Sequence, residues 1–77
     1  MSLRDPALDI IARVSGRDRS QIAPDQQLVA DLEFDSARAL ELMVELEDGL
    51  GIELSDEALA GMTTVADVLT AVEQAAG

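Results

Sequence analysis

With 77 residues, sixteen acidic and five basic, the chain carries a formal charge of −11, a surface that repels phosphate backbones and anionic membranes but attracts basic patches on other proteins. Cysteine and histidine are both absent, which excludes a disulfide framework, a thiolate metal site and the usual zinc ligand sets. Residues 1–77 read as one domain, too apolar at 48% hydrophobic residues to be disordered, and with one Phe its core must be built from aliphatic side chains.

The first predicted helix opens at Asp5-Pro6, an N-cap followed by a proline whose missing N–H has no partner there anyway. Leu3, Ala7, Ile10, Ile11 and Val14 keep helical spacing, and Gly16 is the expected stop. Charged residues interrupt this N-terminal apolar stretch, so it lacks a signal-peptide core, and nothing approaches a membrane span in length. A cytoplasmic chain is therefore expected. From Arg17 to Asp35 no periodicity persists; the 19 residues form a long connection with Ile22, Leu28 and Leu32 as apolar pegs.

The second helix is predicted over Ser36–Leu50. Ala39, Leu42, Met43, Leu46 and Leu50 share one side, and Leu40 and Val44 widen the arc to about half the circumference at about 100° per residue. So wide an arc predicts a central helix touching several neighbours. Arg38, Glu41, Glu45 and Asp48 fall on the opposite face, whereas Glu47 projects beside Leu40 and Met43. Gly51 is the expected stop, and Gly49 before it costs about 1 kcal/mol relative to Ala. Ser55, with Asp56 and Glu57 behind it, caps a third helix of about one and a half turns before Gly61. Thr64-Val65-Ala66-Asp67 resembles a capping box for a last helix along Val65, Val68, Leu69 and Val72, ending near Ala75. No segment alternates with period two. The expected fold is an all-α four-helix bundle with three longer helices, a short third one, and a long loop between the first two.

Ser36, the hydroxyl at the mouth of this acidic helix, admits three readings. It or Asp35 caps the helix, for about 1 kcal/mol. It is a nucleophile, although the chain has no histidine to act as base and no G-x-S-x-G elbow around this serine. Or it is modified by another enzyme that supplies base, metal and donor, which requires only accessibility and a docking surface. Asp31, Glu33 and Asp35 alternate like a calcium loop, but the sixth and twelfth positions hold Ser36 and Leu42 where Gly and Glu are needed. No metal site is expected.

The segments "DLEFDS", "ALELMVELEDGLGIELSDEAL" and "MTTVADVL" resemble the acyl carrier proteins of fatty-acid, polyketide and peptide biosynthesis, and the similarity covers nearly the whole chain. The resemblance implies that Ser36, beside Asp35, carries 4′-phosphopantetheine transferred from coenzyme A by a phosphopantetheinyl transferase. The terminal thiol of that arm would hold an acyl or aminoacyl group as a thioester, and loading and synthase enzymes would perform the chemistry. It further implies a monomer that is a carrier and no enzyme. On the same basis Asp35, Glu41, Glu47 and Asp48 would pair with basic residues on partners, while Ala37, Leu40 and Val44 flank the arm. Position 48 holds the shorter Asp. Glu33 stands where the family usually has Gly, Ala37 where a large apolar residue follows the serine, and Arg38 adds a positive charge to the docking face. These departures point to a specialised member, and Met1 with the short length to a free-standing one. An unmodified acidic adaptor of similar fold is the competing expectation.

Overall fold

The computed structural model describes residues 3–76; Met1, Ser2 and Gly77 of the expected domain lie outside the described residues. Four α-helices follow in order, α1 (Arg4–Ser15), α2 (Ser36–Leu50), α3 (Asp56–Ala60) and α4 (Val65–Ala76), with a 3-10 turn at Arg19–Gln21. Among the described residues there is no strand, only an isolated bridge between Gln27 and Thr64.

The start of α1 differs from expectation. Leu3 occupies the N-cap position without a side-chain bond, and Asp5 lies inside the first turn. The reason is Arg19, whose guanidinium holds Asp5 at 3.1 Å and Asp9 at 3.0 Å, drawing the would-be cap away from the helix end. Pro6 is tolerated because first-turn N–H groups have no intrahelical acceptor. The helix ends as expected at Gly16, in the left-handed region with φ 73°.

The long connection is anchored throughout. Leu28, Leu32 and Phe34 are buried and Ile22 is half-buried. Backbone bonds tie the loop to the start of α4: Leu28 N–H donates to the Thr63 carbonyl at 2.9 Å, Val65 N–H to Gln26 at 3.0 Å and Ala66 N–H to Pro24 at 2.9 Å. These bonds satisfy groups that a buried loop would otherwise leave orphaned.

In α2 only Leu42 and Leu46 are buried, so the buried stripe is much narrower than the apolar arc. α1 packs chiefly on α2 and also on α4. Gly49 has a packing reason: a Cβ there would stand 3.1 Å from Ile10 Cδ1. Glu47 reaches past the helix end, where its carboxylate accepts the Leu54 N–H at 3.0 Å. Ser55 Oγ caps α3 through Ala58 N–H at 3.1 Å. At α4 the expected capping box is present: Asp67 accepts from Thr63 and Thr64 N–H at 2.9 and 3.0 Å, and Thr64 Oγ1 accepts from Asp67 N–H at 3.2 Å. Every buried side chain among the described residues is apolar, with Ile11, Leu46, Val65, Val68, Leu69 and Val72 the largest of those fully enclosed.

Candidate functional site

The unburied part of the α2 arc defines the site. Ala39 is exposed, Leu40 is 66% and Val44 49% exposed, and all lie beyond the Leu42–Leu46 stripe. Ser36 heads this face. Asp35 is the N-cap, its Oδ1 accepting the Arg38 N–H at 2.8 Å, so the cap belongs to Asp35 and not to Ser36. The Ser36 hydroxyl is exposed and has no hydrogen-bond partner among the described residues.

Two hollows meet at this serine. One, of about 280 Å³, runs between α2 and α3 along Ala39, Leu40, Met43, Leu46, Leu59 and Met62. The other, of about 540 Å³, lies on the loop side against Leu28, Val29, Phe34 and Met62. Val29, Phe34, Leu59 and Met62 were not among the candidate residues; Leu59 and Met62 come from a segment distant in sequence, Val29 and Phe34 from the loop before α2, and none of the four carries a periodic signal. A lone aromatic directly before Asp35 is the one cue that could have pointed to Phe34.

The charged face of α2 divides into two parts. Glu41 and Asp48 are exposed and have no ion-pair or hydrogen-bond partner among the described residues, and Ala37 is exposed on the same helix. Glu45 is half-buried and paired with Arg13 of α1. Arg38, expected as a positive charge on the docking face, instead donates from its guanidinium to the Val14 carbonyl, where the end of α1 attracts a cation. Glu47 is half-buried through its bond to Leu54. Glu33 has φ 60°, the one non-glycine in the left-handed region among the described residues. Among them no three His, Cys, Asp or Glu side chains gather as metal ligands, and the Asp31 carboxylate is engaged by Gln27 N–H at 2.7 Å.

The sequence matches the family model described as phosphopantetheine attachment site over residues 6–72. A meromycolate extension acyl carrier protein of Mycobacterium leprae is 41% identical over 66 residues, which make up 86% of this chain and 57% of that protein. The protein of the same description from Mycobacterium tuberculosis is 39% identical over 66 residues, with the same coverage of 86% and 57%. The chain thus spans little more than half the length of these relatives. A solved structure of an acyl carrier protein from Mycobacterium tuberculosis is similar at a TM-score of 0.84 and 37% identity, covering 92% of this chain and 95% of that one. The shared pattern and the shared bundle lead to one assignment: the chain belongs to the acyl carrier protein family, whose members bear 4′-phosphopantetheine on a serine, meet a transferase and synthase enzymes, and carry cargo without transforming it.

Proposed function

We propose that Ser36 is the attachment residue and that residues 1–77 act as one carrier unit. Ser36 Oγ forms the bond to the phosphorus that bears pantetheine as the pyrophosphate linkage of coenzyme A breaks. Adenosine 3′,5′-bisphosphate leaves with the electron pair of the broken P–O bond, and the hydroxyl proton passes to the transferase. When bound, the group supplies a terminal thiol, which this cysteine-free chain lacks, and through it holds an acyl group as a thioester.

The observation that carries this reading is the contrast among the serines. Ser15 Oγ donates to the Ala12 carbonyl at 3.0 Å, and Ser55 Oγ is committed to capping α3. Ser20 lies in the 3-10 turn, away from both hollows. Ser36 alone of these combines an unengaged hydroxyl with a place on the rim of both hollows. An esterified Oγ there displaces no existing bond, so the residues fit the group.

The aliphatic lining between α2 and α3 supports an acyl cargo over an aminoacyl one, since a buried ammonium would find no partner along it. Docking rests on the exposed side of α2: Glu41 and Asp48 attract basic partner patches, and Ala37, Leu40 and Val44, which flank the attachment point, supply apolar contact to the partner. Asp35 and Glu47 each give an oxygen to a backbone N–H, so they add field more than direct pairs. Such steering gives fast, salt-sensitive and short-lived encounters. The carrier in this reading is a cytoplasmic monomer; among the described residues no helix is long and apolar enough to cross a membrane.

The test is intact mass after incubation with coenzyme A and a broad-specificity transferase. The wild type is expected to gain one phosphopantetheine, and Ser36→Ala none. A gain that survives Ser36→Ala, or no gain on the wild type beside a modified control carrier, overturns the assignment. An unmodified adaptor would instead lose function with Glu41→Lys and keep it with Ser36→Ala.

A further inference from the structure

Val29 is 73% exposed, the most exposed large aliphatic among the described residues, and it stands outside the docking face of α2. Its exposure does not come from a loose turn. The Leu28 N–H is bonded to Thr63, the Asp31 N–H to the Gln27 carbonyl and the Phe34 N–H to the Leu28 carbonyl, each at 2.9 Å. The Asp31 carboxylate closes the same turn on Gln27 N–H at 2.7 Å. An apolar side chain is thus held in water by a backbone fixed on both sides of it.

Beside Val29 lies the loop-side hollow, with Phe34 and Met62 on its walls and Ser36 on its rim. The one charged side chain on this lining is Asp35, already engaged by Arg38 N–H. The hollow therefore offers apolar surface and no counter-charge for an anion. Leu28 and Met62 line this hollow and the groove between α2 and α3 alike, so they stand between two routes that leave the same hydroxyl.

We propose that the loop-side hollow is the resting place of the prosthetic arm itself, with its branched, dimethyl-bearing segment packed on Val29, Phe34 and Met62. This rests on Ser36 being the attachment residue. An arm tethered at the rim starts beside these walls, and its phosphate, finding no cation there, stays in water while the neutral segment after it meets the valine. Tethering supplies an effective concentration in the millimolar range, so a shallow contact suffices without a closed pocket. The division leaves the groove between α2 and α3 to the cargo and the exposed face of α2 to partners. Partners that extend the arm must first lift it from the loop.

The experiment compares unmodified and phosphopantetheine-loaded chain by methyl NMR, with loading verified by mass. The loaded wild type is expected to show cross-relaxation between the arm's geminal methyl protons and the Val29 methyls, with shift changes at Val29, Leu28 and Met62. Val29→Asn, a change at an exposed position, is expected to remove these contacts and narrow the arm's methyl lines toward those of free phosphopantetheine. Leu40→Asn, on the other groove, is expected to leave them in place. A fully loaded chain whose arm touches only Leu40 and Met43, or nothing, overturns this inference and leaves the attachment reading standing. A chain that takes up no mass overturns both.

Discussion

Glu33 is held at φ 60° three positions before Ser36. A side chain in the left-handed region costs roughly 1–2 kcal/mol, against about 0.4–1 kcal/mol of extra unfolded-state entropy for glycine. The strain wins, so Glu33→Gly is expected to raise stability by about 0.5–1 kcal/mol, read as a higher urea midpoint. A midpoint that falls would show that the side chain makes a contact worth more than the strain. The sequence pattern marked this residue only as a departure from the family's Gly; the dihedral supplies the reason for glycine there. Asp67 gives a pH prediction. The Thr63 and Thr64 N–H groups it accepts hold its carboxyl below the usual carboxylate range. Its folded pKa is depressed, so its contribution is complete above the unfolded value of about 3.9 and is lost as pH falls through the lower folded value. Asp67→Asn should flatten this acid limb of helicity against pH, and a limb superimposable on the wild type would contradict the cap. The capping box was legible because its partners lie three residues apart. The choice between Asp35 and Ser36 was not, since adjacent residues satisfy the same spacing.

α2 runs over Ser36–Leu50 as its periodicity predicts, yet only Leu42 and Leu46 of its apolar arc are buried. Periodicity tells which residues are apolar; it does not tell which of them a neighbour covers. The uncovered remainder, Ala39, Leu40 and Val44, is where the helix meets its proposed ligands. Leu46 is fully buried, so Leu46→Ala is expected to cost about 2–5 kcal/mol, and an almost unchanged urea midpoint would refute the packing described. Gly49 separates propensity from packing. Ala at an open helical site would gain about 1 kcal/mol. Here its Cβ would press on Ile10 Cδ1 at 3.1 Å, so Gly49→Ala should gain clearly less than that and Gly49→Val should lose stability. A full gain from Gly49→Ala would mean that α1 yields at no cost. The start of α1 escaped the sequence for a related reason: Arg19, which takes Asp5 from the cap, lies fourteen residues away.

At the scale of the whole molecule, a charge of −11 on 77 residues acts against compaction. Raising ionic strength from about 0.01 to 0.15 M shortens the screening length from about 30 to about 8 Å. The ion pairs Arg4–Glu73, Arg13–Glu45, Arg19–Asp5 and Arg19–Asp9 are all substantially exposed, so salt takes little stability from them. The urea midpoint should therefore rise with salt; a fall would mean that the pairs outweigh the repulsion. The same long-range view explains why the all-α class and the four helices were legible while the loop's role was not. Leu28, Leu32 and Phe34 become core only because backbone bonds lay residues 24–28 against the start of α4. That anchoring is also what sets Val29 and Phe34 beside the serine. The central claim is tested most directly by locating the modification within the loaded chain. Tryptic cleavage leaves Ser20 and Ser36 on one peptide, Ser20 to Arg38, and fragmentation of that peptide separates the two hydroxyls. The account predicts the whole added mass on Ser36; mass on Ser20, on any other residue, or on none would contradict it.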